Sequence, residues 1–112
     1  MQLKAIDDQL SVGGQIRPEE VAQIAAKGFR SIICNRPDAE DYGQPSFAEI
    51  AEAAEAHGMA ARHIPVRSGQ VEPAQAAQFE AALKELPGPT FAYCRSGVRA
   101  GVLAQMTGRA SR

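Results

Sequence analysis

Six consecutive residues, Cys94-Arg95-Ser96-Gly97-Val98-Arg99, bring a nucleophilic sulfur, a glycine and two guanidinium groups into one short segment. The run Thr90-Phe91-Ala92-Tyr93 before it reads as a buried strand, and the pattern from Val98 onward turns helical, so the segment is a strand-to-helix turn. The first amide N–H groups of a helix lack intrahelical partners, and the helix dipole adds about half a positive charge at that end. Gly97 allows tight curvature and close backbone approach. Ser96, Gly97 and Val98 would supply amide donors, and Arg95 and Arg99 would supply cationic ones. The segment is a cradle for an anion, and the first anion beside it is the Cys94 thiolate, since thiolates are favoured at helix N-termini next to arginine. Cys94 and Arg99 are therefore the expected catalytic pair, with Arg95, Ser96, Gly97 and Val98 binding an anionic substrate. A free cysteine is more often a small core hydrophobe, and Cys34, within Ser31-Ile32-Ile33-Cys34 and with no basic neighbour before Arg36, fits that role. Packing gives no reason to set a glycine and two arginines on the turn that carries Cys94.

The elements that must position this turn follow from periodicity. Lys4-Ala5-Ile6 and Leu10-Ser11-Val12 read as short strands, and Gly13-Gly14 ends the second with a turn expected to need positive φ. Pro18, with Glu19 and Glu20 behind it, opens a helix whose stripe is Val21, Ile24 and Ala25, with Gly28 as its cap. Phe29 to Cys34 reads as a strand buried on both faces. After a loop from Asn35 to Pro45, Ser46 and Glu49 form a capping box for a helix with Phe47, Ile50 and Ala54 inside, ending near His57, a partner for its C-terminal dipole, and Gly58. Met59 to Val66 is strand-like, Arg67 to Glu72 is a second loop, and Pro73 opens a helix with Phe79, Leu83 and Leu86 on one face, stopped by Pro87-Gly88-Pro89. Thr107 to Arg112 reads as a fraying helix end. Strands alternating with helices predict one α/β domain over residues 1–112, with a mostly parallel sheet of four to five strands and helices on both faces. The loops starting at Asn35, Arg67 and Cys94 then share the rim where such sheets bind ligands.

Composition excludes several other functions. Trp is absent and aromatic residues make up 5%, leaving no stacking platform for single-stranded nucleic acid. A net charge of -1 and a pI near 6.1 give no field that would gather nucleic acid or an anionic membrane. No apolar run approaches the roughly 18 residues of a membrane helix, and Met1-Gln2-Leu3-Lys4 does not open a secretory signal. A cytoplasmic protein with two free thiols is expected. His63 has no ligand-spaced partner, so neither a metal nor another cofactor is expected.

Two kinds of loop are similar to the Cys94 segment. Protein tyrosine and dual-specificity phosphatases carry His-Cys-x-x-Gly-x-x-Arg-Ser/Thr, and rhodanese sulfurtransferases often carry the shorter Cys-Arg-x-Gly-x-Arg. Four residues separate Cys94 from Arg99, as in the shorter form, with Tyr93 in place of the phosphatase His and Ala100 in place of its Ser or Thr. Leu10 to Gln15, Gly28 to Asp38, His63 to Val66 and Tyr93 to Arg99 together resemble the DUF442 family, the phosphatase-like domain found alone or within beta-lactamase-hydrolase-like proteins. The resemblance implies a protein tyrosine phosphatase-like fold. It also implies either phosphatase-like hydrolysis or sulfur transfer beside sulfide-oxidising enzymes and persulfide dioxygenases.

The residues weigh on that choice. Phosphoryl transfer needs an Arg that grips two equatorial oxygens, and a shorter loop grips less well. It also needs a general acid, and Arg67 to Glu72 contains no Asp, leaving Glu72. A persulfide is a single anionic sulfur that needs only amide donors and passes to an acceptor thiol without a strong acid. The expectation is sulfane-sulfur transfer from a small anionic donor such as thiosulfate or a glutathione persulfide to a thiol, through a Cys94 persulfide. The alternative is phosphate-ester hydrolysis through a Cys94 thiophosphate, and the next is a non-catalytic anion- or thiol-binding module. Arg36 or Asp38, opening the first rim loop, either braces the Cys94 loop or recognises substrate, or the segment is a loop-initiating Pro37 with solvated charges.

Overall fold

The computed structural model describes residues 1–109. Its elements are β1 (Leu3–Ala5), β2 (Leu10–Gly13), α1 (Val21–Ala26), β3 (Ser31–Cys34), α2 (Phe47–Ala56), β4 (Ala60–His63), α3 (Pro73–Glu85), β5 (Thr90–Tyr93) and α4 (Val98–Met106). The five strands lie in the order β1-β2-β5-β3-β4; β1 pairs antiparallel with β2, and every other pairing is parallel. This is the expected α/β architecture.

Alternation along the strands divides the core. Ile32, Cys34, Phe91 and Tyr93 face α1 and α2, where Val21, Ile24, Ile50 and Ala54 cover them. Val12, Ile33 and Ala92 face the other way and meet Phe79, Ala82, Leu103 and Ala104 of α3 and α4. Each large side chain buried this way contributes about 1.5–3 kcal/mol. Because both faces are covered, the strands read as continuous apolar runs.

The register brings the functional rim together. Gly13 pairs with Tyr93, Tyr93 with Cys34, and Cys34 with His63, so four strands end level. The segments that leave that line are tied to the neighbouring strand ends: the Cys94 N–H donates to Gly13 O at 3.2 Å, and the Asn35 N–H to Tyr93 O at 2.7 Å.

Some expectations shift. Pro18–Glu20 form a 3-10 turn before α1 rather than its first α-helical turn. The strand expected over Met59–Val66 is shorter, because His63 is the last residue opposite β3. Gly13 and Gly14 do not adopt positive φ; they are glycines because backbone approaches closely. A Cβ on Gly14 would lie 3.0 Å from Arg95 O, and one on Gly13 would strike Gln2 O and the Phe91 ring. The helix end expected over Thr107 to Arg112 falls partly outside the described residues; α4 closes at Met106, with Thr107 as its cap. Among the described residues, no helix is long and apolar enough to cross a membrane.

Candidate active site

The Cys94 turn has the curvature its sequence implies. Gly97 is left-handed, with φ of 97°, and is the N-cap of α4. That conformation turns its N–H back toward the start of the loop, where it donates to Cys94 Sγ at 3.1 Å. The sulfur is buried and accepts this hydrogen bond just before the N-terminus of α4. Val98 begins α4 and points outward, and Ser96 is exposed at the crest of the turn. The Gly13-Gly14-Gln15 turn supports the loop from behind, with the Gln15 N–H donating to Arg95 O at 3.2 Å.

Arg99 returns from the first turn of α4 and is only 7% exposed. Nη1 donates to Glu40 Oε2 at 2.7 Å and to Val66 O at 2.8 Å, and Nη2 donates to Glu40 Oε1 at 2.9 Å. Glu40 raises the Arg99 pKa against the opposing effect of burial, and the adjacent Cys94 sulfur adds to the rise. In return the Arg99 fork, aided by Arg36 and opposed by burial, holds the Glu40 carboxyl down at about 2.

Arg36 is not a solvated charge. It is 3% exposed, and its Nε, Nη1 and Nη2 donate to Glu40 Oε1 at 2.8 Å, Gln15 Oε1 at 3.0 Å and Asp41 Oδ2 at 2.5 Å. Asp41 Oδ2 also lies 3.2 Å from Nε of the exposed Arg95. Arg36, Arg95 and Arg99 thus converge on two carboxylates of the first rim loop beside Cys94. Asp38 does not join them: its Oδ1 accepts the Phe47 N–H at 2.8 Å and caps α2, together with the Ser46–Glu49 box. His63 takes a packing role, stacked on Phe47 at 4.7 Å with Nε2 donating to Arg36 O at 2.8 Å. Glu72 sits exposed at the N-cap of α3, its N–H donating to Gln75 Oε1 at 2.7 Å.

Sequence reasoning gave no role to Glu40, Asp41 or Gln15. The signal available for the first two was charge complementarity: the acidic stretch Asp38-Ala39-Glu40-Asp41 lies on one rim loop and the arginines on another. Nothing in local spacing says that the two loops touch.

The model of the beta-lactamase hydrolase-like protein, phosphatase-like domain, matches residues 2–111. A beta-lactamase hydrolase-like protein of Agrobacterium fabrum is 37% identical over 100 residues, covering 89% of this chain but 23% of that protein. The chain thus spans about a quarter of the length of that relative. Among solved structures, one from Neisseria meningitidis described as a candidate phosphatase superposes with a TM-score of 0.85 at 34% identity, covering 92% of this chain and 73% of that one. The active form of Tk-PTP superposes with a TM-score of 0.70 at 19% identity, covering 91% and 68%, and shares the fold.

Proposed function

The chain belongs to the family of the phosphatase-like domain of beta-lactamase hydrolase-like proteins, and from that premise we propose that it hydrolyses phosphate esters through a Cys94 thiophosphate. The observation that carries this reading is the buried Arg99 guanidinium beside the Cys94 sulfur, with Arg36 and Arg95 gathered on the adjoining Glu40 and Asp41 carboxylates. A persulfide needs amide donors alone, whereas a phosphoryl dianion spreading charge over three equatorial oxygens makes use of guanidinium groups. Emphasis therefore moves from sulfur transfer to phosphoryl transfer. In the reaction Cys94 Sγ attacks phosphorus, the amides of Ser96, Gly97 and Val98 and the Arg99 guanidinium hold the equatorial oxygens, and the leaving oxygen departs on the opposite side. Val66 O anchors Nη1 of Arg99, and the phosphoryl oxygens take the place on its fork that the Glu40 carboxylate fills. Glu72 is the candidate proton donor to an alcohol leaving group. Water then releases phosphate and regenerates the thiolate.

A second reading, sulfur transfer to a thiol acceptor, keeps one observation in its favour: the loop holds four residues between Cys94 and Arg99. One paired assay separates the two. The protein and its Cys94→Ser variant are incubated with an aryl phosphate, and in parallel with thiosulfate plus cyanide. Cys94-dependent phosphate release is expected; Cys94-dependent thiocyanate without phosphate release would replace hydrolysis by sulfur transfer. Glu72→Gln should slow alkyl phosphate turnover by roughly 10²-fold while sparing an aryl phosphate, whose leaving group needs no proton. Equal effects on both would remove Glu72 as the acid.

A further inference from the structure

Glu40 and Asp41 are neighbours in sequence, and a single guanidinium edge holds their carboxylates side by side. Nε of Arg36 donates to Glu40 Oε1 at 2.8 Å, and Nη2 of the same group donates to Asp41 Oδ2 at 2.5 Å. These two N–H groups point the same way, and such an edge commonly grips two oxygens of one carboxylate or one phosphate. Here it grips one oxygen from each of two anions. Each anion also has a cation of its own: Glu40 has the Arg99 fork, and Asp41 has Arg95 Nε. The guanidinium groups therefore define two adjoining anion sites that share Arg36, the inner one beside Cys94 and the outer one at the exposed Arg95. A single phosphoryl group is served by the loop amides and Arg99; the outer site is surplus to it.

We propose that the Glu40 and Asp41 carboxylates stand where two adjoining phosphoryl groups of a substrate bind, so that the substrate class is a diphosphate. The terminal phosphoryl group takes the Arg99 site over Cys94, the next takes the Arg36–Arg95 site, and the first rim loop withdraws its carboxylates as they enter. This rests on the cysteine-dependent hydrolysis proposed above. The state of the rim carboxylates supports it: Glu40 and Asp41 are ion-paired, and Glu72, the candidate acid for an alcohol leaving group, is exposed at the start of α3, so a leaving group that needs no proton suits the site. In a diphosphate the S–P bond forms as the bond from phosphorus to the bridging oxygen breaks. The electron pair leaves with that oxygen as a phosphate anion, held by Arg36 and Arg95, and no proton donor is required. Water then attacks the thiophosphate, gives its proton to solvent, and restores the thiolate.

Binding tests the two subsites without turnover. The Cys94→Ser protein is titrated calorimetrically at fixed ionic strength with inorganic phosphate, inorganic pyrophosphate and butanediol bisphosphate, whose two phosphoryl groups are spread apart by a flexible chain. Pyrophosphate should bind at least about tenfold tighter than either of the others. Arg95→Gln on that background should bring pyrophosphate close to phosphate, and Asp41→Asn, by removing a competing anion, should tighten pyrophosphate binding. Equal affinity for pyrophosphate and the spread bisphosphate would reduce the effect to overall charge and overturn the proposal. So would a pyrophosphate preference that survives Arg95→Gln, or an Asp41→Asn change that weakens binding as Arg95→Gln does, which would mark Asp41 as a loop brace. Aryl phosphate hydrolysis by the unaltered protein reports separately on the underlying reading. Tight pyrophosphate binding without hydrolysis keeps the subsites and removes the enzyme, and hydrolysis with equal affinities does the reverse.

Discussion

Two cysteines stand at the ends of neighbouring strands on the same rim, both hidden from solvent, and their sulfurs are bonded in opposite senses. Cys34 ends β3 inside the core that faces α1 and α2, and its Sγ donates to the Arg36 carbonyl at 3.3 Å. Cys94 lies one residue beyond the end of β5, and its Sγ accepts from the Gly97 N–H at 3.1 Å. A donor bond needs the thiol hydrogen, and burial pushes the Cys34 thiol above its ordinary value. An acceptor bond favours the charged sulfur. Burial alone, the same for both, says nothing about reactivity. The direction of one hydrogen bond distinguishes the two sulfurs, and that direction is set by whether the chain continues as a loop or turns into a helix.

The most severe test of this contrast is replacement of each sulfur by oxygen. Cys94→Ser should lower aryl phosphate turnover by roughly 10⁴-fold or more, the scale seen when a covalent nucleophile is removed, while Cys34→Ser should leave it within a few-fold. Comparable losses in steady-state kinetics would erase the distinction. Next in size is Arg99→Ala, expected to cost about 10²–10³ in kcat, as for loss of a preorganised charge-stabilising donor. It should also cost roughly 2–3 kcal/mol of stability by denaturant melts, because Glu40 loses its principal partner in a partly buried setting. Arg99→Lys should recover little, since an ammonium cannot repeat the two-pronged bond to Glu40.

Alkylation sharpens the comparison further. Brief treatment of the folded protein with iodoacetamide at neutral pH, read by peptide mass spectrometry, should label Cys94 and spare Cys34 until denaturant is added. Equal labelling would show that the opposite bonding has no chemical consequence. The smallest effect is on alkaline stability. Burial raises the folded-state values of Cys34 from 9.0 and of Tyr93 from 10.0. The folded chain thus holds those protons more tightly than the unfolded one, so their contribution is full below about pH 9 and falls as pH rises further. Cys34→Ala should flatten the decline in denaturant midpoint that begins near pH 9, and Tyr93→Phe the part above pH 10. A Cys34→Ala protein with an unchanged alkaline slope would show that the Cys34 thiol is not the group involved.

Much of the fold was legible because its signals are local. The alternation of short apolar runs with helical stripes, the Ser46–Glu49 box and the Pro and Gly stops each depend on residues within a few positions of one another, and they led to a parallel α/β sheet. The Cys94 loop was legible for the same reason, since nucleophile, glycine and both arginines lie within six residues. The boundary errors are equally physical. The ends of β4 and α1 are set by where a neighbouring strand stops and where backbone can approach, and neither is encoded in the segment itself.

The sequence by itself determined a cysteine and two arginines at a helix N-terminus, because the turn that carries them is continuous in the chain. Only the tertiary structure decided what surrounds that sulfur. The level ends of β2, β5, β3 and β4 bring the Asn35 loop against the Cys94 loop, making Glu40 and Asp41, to which the sequence assigned no role, the partners of three arginines. Arg99 and Glu40 are 59 positions apart in sequence. No periodicity reports a contact of that separation; strand order and register do.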